Sequence, residues 1–438
     1  MSKMRLSLKD FGPIDEANID LGKITVIGGE NATGKSTTSK ILYCFLRANS
    51  SKRQEITYGY IVNSIKDTTR DIQRFLRDQE NCNVNFRDLQ TRLTQYETQA
   101  RISPHKTGLD IITEIYDDIK DRIDEQIISE DSTDKINEKF FEIDKLIEIV
   151  VENDVQLYTS IMKRLLKAEF STADFNGIFN ISGRNNQNNN FNFNIDFNNN
   201  DLSSDEVFKS EGWFNLNDIY YIDSFSILDL DQNLGLNDSE HAIFLTNNLK
   251  KEADASDELF DDKINEDIIE LEDEINKIIK GEFIYENGEL TYVNNNGEKC
   301  RMKNTASGIK QVGIIQLLLN NRKLKRDSFL VIDEPEVNLH PAWQVKFAGV
   351  LALLVKKLNV SLYINSHSPV FIEAIDAWAY NYDLTEETKY YLSEKSRKKE
   401  GFNNIFEVDS EELYRIYDNL GNPYDDIDEI RIKKDYKY

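Results

Sequence analysis

Gly29-Glu30-Asn31-Ala32-Thr33-Gly34-Lys35-Ser36, followed by Thr37, is the stretch on which the fold turns. It follows Ile24-Thr25-Val26-Ile27, a β-branched run with the pattern of a buried strand. It leads into a helical pattern from Lys35 that carries Ile41, Leu42, Phe45 and Leu46. A glycine-rich turn between a strand and a helix aims backbone N–H groups at an anion, with the positive end of the helix behind them. The spacing G-x-x-x-x-G-K-[ST] adds a lysine that reaches the β- and γ-phosphates and a hydroxyl, Ser36, that holds Mg2+. From average residue usage, such a match arises by chance in roughly one chain of this length in fifty. Upstream, Leu6, Leu8 and Phe11 suggest one strand, and Ala17, Ile19 and Leu21 alternate in a second.

A second stretch, Phe329-Leu330-Val331-Ile332-Asp333-Glu334, reads as an apolar strand that ends in two carboxylates. Asp333 stands where an aspartate supports Mg2+ beside a phosphate loop, and Glu334 is placed to polarise an attacking water as general base. Further on, the strand Ser361 to Ile364 ends in Asn365-Ser366-His367-Ser368-Pro369. A histidine at the C-terminal end of a parallel strand lies where α/β sheets hold ligands, so His367 is expected to face the γ-phosphate or the water. A fourth stretch, Asn304-Thr305-Ala306-Ser307-Gly308-Ile309-Lys310-Gln311, opens the helix that precedes the carboxylate strand. Ser and Gly at a helix N-terminus make an anion site, or a simple cap through Ser307 or Thr305.

The rest of the chain surrounds these elements. Ile112, Ile115, Ile119, Ile123 and Ile127 recur at helical spacing, and a weaker run extends from Phe140 to Leu166. Residues 51–175 therefore read as a helical insertion. An Asn-rich stretch at 183–201 contains the period-two pattern Phe191, Phe193, Ile195, Phe197, expected to be a strand. Asp218 to Ile222 reads as another buried strand, and Ile264, Ile268, Leu271, Ile275 and Ile278 mark an amphipathic helix. A hairpin follows, Phe283 to Tyr285 and Leu290 to Val293 about Asn287-Gly288. The expected division is a head at 1–50, an insertion at 51–175, a return at 176–303, the second lobe of the head at 304–380, and a short acidic segment at 381–438. The fold class is α/β, a mixed or parallel sheet flanked by helices with an inserted, mainly helical subdomain.

The 438 residues carry 53 Lys+Arg against 78 Asp+Glu, a net charge of −25, which excludes a protein that coats nucleic acid uniformly. DNA contact requires a local patch, and Arg322-Lys323-Lys325-Arg326 and Arg397-Lys398-Lys399 are short candidates. The 39% hydrophobic content suits a globular core. Cys44, Cys82 and Cys300 are far apart with no CxxC, which excludes a cysteine zinc module and fits a reducing, cytoplasmic setting. The aliphatic run Val350 to Val355 is far shorter than the roughly 20 residues that cross a bilayer, so no membrane association is expected.

Taken together, the N-x-x-G-K-S-T loop, A-S-G before a helix, D-E-P-E-x-x-L-H-P and the strand-end S-H-S-P resemble the ABC-type ATPases of the SMC/RecF/OLD branch. Glu336, Leu339, His340 and Pro341 match the loop after the carboxylate strand in OLD-like ATPases, including those of prokaryotic antiviral systems such as Septu and PARIS. The opening Lys9-Asp10-Phe11-Gly12-Pro13-Ile14 is similar to the first hairpin of that branch. The resemblance covers residues 1–50 and 282–376. It implies ATP and Mg2+ as ligands, with Gly29, Asn31, Gly34, Lys35, Ser36 and Thr37 on the nucleotide, Ser36 and Asp333 on the metal, and Glu334 and His367 in catalysis. It implies a homodimer or higher homo-oligomer in which Ser307, Gly308 and Lys310 of one copy face the γ-phosphate held by the other. It also implies a separately encoded effector, a nuclease or toxin, because only about 60 residues follow the last recognised strand, too few for a typical nuclease domain. Asp426-Ile427-Asp428 is read as a solvated acidic turn. The alternative is an ATP-locked oligomeric scaffold with negligible turnover.

Overall fold

The computed structural model describes residues 4–50, 61–62, 64–72, 91, 107–124, 136–141, 143–145, 147–148, 154–170, 176–184, 190–197, 201–204, 218–223, 227–228, 239–249, 262–286 and 289–421. Two compact units divide the chain: Met1–Ser50, Arg164–Glu206 and Gly212–Tyr438 form the first, Ser51–Lys163 with Val207–Glu211 the second.

The first unit is built on one mixed sheet. Its elements in chain order are β1 (Met4–Phe11), β2 (Ile14–Leu21), β3 (Ile24–Gly29) and α1 (Lys35–Ala48). The chain then passes through the second unit, which holds α2 (Thr107–Asp124) and most of α3 (Asp154–Phe170). Back in the first unit come β4 (Ile178–Arg184), β5 (Asn190–Asp196), β6 (Asp201–Ser204), β7 (Ile219–Ile222), α4 (Glu240–Leu249) and α5 (Asp262–Ile279). A small antiparallel sheet follows, β8 (Gly281–Glu286), β9 (Glu289–Asn294) and β10 (Lys299–Arg301). The remainder is α6 (Ser307–Asn320), β11 (Phe329–Asp333), α7 (Pro341–Leu358), β12 (Ser361–Ser366), α8 (Pro369–Asn381), β13 (Thr388–Lys395) and β14 (Asn403–Val408).

The main sheet has the order β6-β5-β4-β1-β2-β14-β13-β3-β12-β11-β7. β13, β3, β12, β11 and β7 run parallel, while β2, β1, β4, β5 and β6 make an antiparallel wing. The character of each strand follows its place. β3, β7, β11 and β12, covered on both faces, are buried at every position, whereas β1 and β5 alternate. Phe191, Phe193 and Ile195 are the inward residues of β5, and Phe193 packs against Phe45 and Phe179. On one face of the sheet lies a core of Ile332, Ile364 and Leu330 with Leu351, Leu354, Ile315 and Leu271.

The C-terminal part departs from the expected division. Residues 388–408 are not a separate acidic segment: β13 inserts beside β3, pairing Ser393 with Gly29, and β14 pairs with β2. The charged residues that give the tail its acidic average are the outward or flanking ones. Tyr390, Tyr391, Leu392, Ile405 and Val408 are buried. Likewise Arg164 onward belongs with the sheet, because Leu165 and Leu166 are buried, so the insertion ends before residue 175.

The second unit has its own core, in which Ile112, Ile115, Tyr116, Ile119 and Ile123 of α2 join Ile61, Ile65, Phe140 and Ile143. Tyr116 Oη donates to Phe140 O at 2.9 Å, and Lys120 pairs with Asp144 at 2.6 Å. Ile127, Cys82, Asn287-Gly288 and Asp426-Ile427-Asp428 lie outside the described residues. Among the described residues no helix is long and apolar enough to cross a membrane.

Candidate functional site

Parallel strands deliver their C-terminal ends to one edge of the sheet, where ligands of open α/β sheets bind. Here that edge collects Ser393, Gly29, His367, Glu334 and Asp333 from β13, β3, β12 and β11, because the register pairs Ser366 with Gly28 and Asp333 with Asn365.

The loop between β3 and α1 has the backbone that a phosphate cradle needs. Gly34 caps α1 with φ 92°, and Thr37 N and Thr38 N donate to its carbonyl at 3.1 Å. Gly29 has φ 150°, and a Cβ there would lie 2.4 Å from Ser393 O, so only glycine lets the loop pass so close to β13. Ser393 Oγ donates to Thr33 O at 2.8 Å and ties the loop down. Lys35 Nζ donates to Gly29 O at 2.8 Å and Glu30 O at 2.5 Å. Burial pushes the Lys35 ammonium down to about 8, against the pull of Glu334 and Asp333. Asn31 and Ser36 are exposed in the same loop, and Thr37 is half-buried.

Asp333 is buried beneath the loop. It accepts from Tyr221 Oη at 2.7 Å, Ser39 Oγ at 3.0 Å and Asn365 Nδ2 at 2.5 Å. Burial raises its carboxyl above the ordinary range, and these donors offset part of that rise.

Glu334 and His367 meet above it. His367 Nε2 lies 2.7 Å from Glu334 Oε1, and Nδ1 lies 2.8 Å from Gly29 O. A carbonyl can only accept, so Nδ1–H donates to Gly29, and one proton bridges Nε2 and the Glu334 carboxylate. Glu334 adopts φ 52°, a left-handed conformation that a non-glycine residue takes only when its surroundings enforce it. The enforcing bond is Glu334 N to Asn365 O at 2.9 Å. Glu336 fixes the histidine from below: its Oε1 accepts from Ser366 Oγ, His367 N and Ser368 N at 2.9, 2.6 and 3.1 Å. Burial raises the Glu336 carboxyl.

Gly29, Gly34, Lys35, Ser36, Thr37, Asp333, Glu334 and His367 thus share one edge of the sheet. Ser307, Gly308 and Lys310 lie elsewhere. A Cβ at Gly308 would meet Asn338 and Leu339, on the loop after β11, and Trp343 of α7. Neither Ser307 nor Thr305 caps α6: the cap is Ala306, without a side-chain bond, and Thr305 Oγ1 donates to Arg301 O. Lys310 is buried. Within the basic clusters, Lys323 is buried, and Lys399 pairs with Asp10 at 2.6 Å and covers the Phe402 ring.

Several participants carry no sequence motif. Ser39, Tyr221, Asn365 and Ser393 support Asp333 and the loop. A second buried network lies nearby. His241 Nδ1 is 2.5 Å from Glu169 Oε2, and His241 Nε2 is 3.1 Å from Asp223 Oδ2. Burial works to lower the imidazole, but the Asp223 and Glu169 carboxylates outweigh it and hold it up at about 9. Burial works to raise Asp223, and His241 outweighs it in turn. The His241 network carries no signal of its own in the sequence.

The residues fit Mg2+ and a nucleoside triphosphate. Mg2+ uses one or two protein oxygens beside phosphate oxygens rather than a full protein cage. Ser36, at the mouth of the loop, helps to hold the Asp333 carboxyl down, and among the described residues no cluster of three or more His, Cys, Asp or Glu forms a cage of its own. The site is that of a P-loop nucleotide-binding protein.

Residues 2–372 match the family model described as AAA ATPase domain, and the chain belongs to that family. Among solved structures it is similar to the SMC head domain from Thermotoga maritima, at 10% identity and TM-score 0.40, covering 93% of this chain and 99% of that one. It is also similar to an SMC head bound to the C-terminal winged-helix domain of ScpA, at 11% identity and TM-score 0.40, covering 94% and 98%. A third is an SMC head from Pyrococcus furiosus with an extended coiled coil, at 10% identity and TM-score 0.33, covering 96% and 100%. No curated protein matches the sequence.

Proposed function

We propose that this protein hydrolyses ATP at the edge of its sheet and that the reaction needs a second copy of the chain. The observation that carries the reading is the Glu334–His367–Gly29 chain, whose Gly29 carbonyl also accepts from Lys35. In this reading Lys35 leaves its own loop carbonyls for the β- and γ-phosphates, and backbone N–H groups at Gly34–Thr37 hold the phosphate oxygens. Ser36 and Asp333 would hold Mg2+, which would supply neutralisation of the triphosphate charge. Glu334 accepts a proton from the attacking water, and His367 orients the Glu334 carboxylate and carries the bridging proton. Glu336 and Asn365 hold both residues in place without touching substrate.

The second copy completes the site with Ser307 and Gly308 at the N-terminus of α6, whose positive end suits a γ-phosphate. Their position against Asn338–Leu339, on the loop that follows the carboxylate strand, supports a link between that surface and the chemistry. The output is regulation of a separately encoded effector, a nuclease or toxin, as in the antiviral systems that the motifs resemble. The net charge of −25 and the engagement of Lys323 and Lys399 favour a protein over DNA as the direct target. The test is the mass of Glu334→Gln by light scattering with Mg-ATP. A dimer that forms with ATP and is lost in the Glu334→Gln/Ser307→Arg double variant is expected; a monomer with ATP bound contradicts the two-copy site.

A further inference from the structure

The phosphate loop is held at both ends by strands that carry none of its motif. β13 runs parallel to β3 in a register that pairs Ser393 with Gly29, the last residue of β3, and continues to Lys395. At the other end of the loop, a Cβ at Gly34 would lie 2.8 Å from Ile14 Cγ1 and 3.4 Å from Pro13 Cγ, where β2 begins. Ser393 is fully buried, next in β13 to Tyr391 and Leu392, which are buried as well. Burying a hydroxyl among apolar neighbours costs free energy unless it is hydrogen-bonded. The bond that Ser393 Oγ makes is to Thr33 O, at 2.8 Å, on a residue that is itself buried. Packing alone asks for no hydroxyl there, so the contribution of the serine is that bond.

The bond fixes more than a carbonyl. Thr33 C=O and Gly34 N–H belong to one planar, trans peptide unit, in which the two groups point in opposite directions. Holding Thr33 O against Ser393 therefore turns Gly34 N–H away from β13. Gly34 stands at the N-terminus of α1, so that N–H belongs to the group of donors at the positive end of the helix. Thr33 Oγ1, by contrast, donates to Glu30 O at 2.8 Å, a bond within the loop itself. Ser393 supplies the reference from outside the loop against which this peptide plane is set.

We propose that Ser393 is a positioning residue of the nucleotide site, which aims Gly34 N–H at the phosphate chain by holding the Thr33 carbonyl against β13. The proposal rests on the nucleotide-binding part of the reading above. Ser393 touches neither nucleotide nor cation, and its effect passes through one peptide plane. A hydrogen bond from a backbone N–H to a charged phosphate oxygen is stronger than one to a neutral acceptor, so misdirecting it is felt as lost affinity.

The experiment is calorimetric binding of a non-hydrolysable ATP analogue and of ADP to the full chain, in wild type, Ser393→Ala and Tyr390→Phe. Tyr390 is on the same strand, and its hydroxyl bonds Asp376 Oδ1 at 3.0 Å, so the second variant removes a hydroxyl bond from β13 without touching the loop. Ser393→Ala is expected to weaken both nucleotides about tenfold, with Tyr390→Phe matching the wild type. With isotope-labelled glycine, the Gly34 amide resonance is expected to move downfield when the analogue is added to the wild type, and to move much less in Ser393→Ala. Should Ser393→Ala fail to fold, Ser393→Cys, which keeps a weaker donor, takes its place with a smaller loss in the same direction expected. Unchanged affinity in the Ser393 variant, or an equal loss in Tyr390→Phe, overturns the role of Ser393 and leaves the ATPase reading intact. Failure of the wild-type chain to bind either nucleotide overturns both.

Discussion

Replacing His241 by glutamine tests the buried network through stability. In the folded protein the imidazole is held up at about 9 by the Asp223 and Glu169 carboxylates, which outweigh the effect of burial. Its ordinary value is about 6.5, and that difference corresponds to about 3 kcal/mol. A raised value in the folded state means that folding takes up a proton. The stabilisation is therefore complete below about pH 6.5, falls by about 1.4 kcal/mol for each pH unit above it, and is gone above about pH 9. The assay is urea unfolding in chelator, without nucleotide, of wild type and His241→Gln at a series of pH values. Taking the difference between the two removes the titration of other groups. The penalty for His241→Gln is expected to be largest near pH 6 and to shrink by about 3 kcal/mol by pH 10. A penalty that does not change with pH would refute the charged imidazole between Glu169 and Asp223.

Lys35 gives a second pH dependence. Because burial pushes its ammonium down to about 8, ATP affinity is expected to fall as pH rises above 8, by up to tenfold per unit, and fluorescence titration with a labelled nucleotide from pH 7 to 9.5 checks it. A flat profile would contradict the direct contact of Lys35 with phosphate. Gly313 tests packing: a Cβ there would come within 2.0 Å of Phe283 Cε2, a buried ring beside Tyr292. Gly313→Ala gains up to about 1 kcal/mol of helix propensity but overpacks the core by about 1–3 kcal/mol, so its melting temperature should drop. A rise would show that Phe283 moves aside freely.

How much of this was legible beforehand depended on whether a signal was local. The phosphate loop, the Asp333-Glu334 pair and His367 each sit at the end of a short apolar strand, so sequence alone gave both the residue and its place. The Asn-rich strand β5 was legible for the same reason, from the two-residue period of Phe191, Phe193 and Ile195. β13 was not, because its burial comes from pairing with β3 some 360 residues away, while Lys389, Glu394 and Lys395 give the stretch a polar average. The Asp223–His241–Glu169 network comes from three segments, β7, α4 and α3, none of which carries a pattern for it. The burial of Lys310 was not legible, since a lysine on a helical pattern gives no sign of it until the packing around α6 is known.

The central claim is that Glu334 takes the proton of the attacking water at a site completed by Lys35, Asp333 and His367. Steady-state ATP turnover of the wild type and of Glu334→Gln, beside nucleotide affinity for each, tests it most directly. The account predicts measurable turnover in the wild type, a loss of about 100- to 10,000-fold in Glu334→Gln, and ATP affinity preserved in the variant. Turnover in Glu334→Gln equal to the wild type would remove Glu334 from the chemistry and contradict the account.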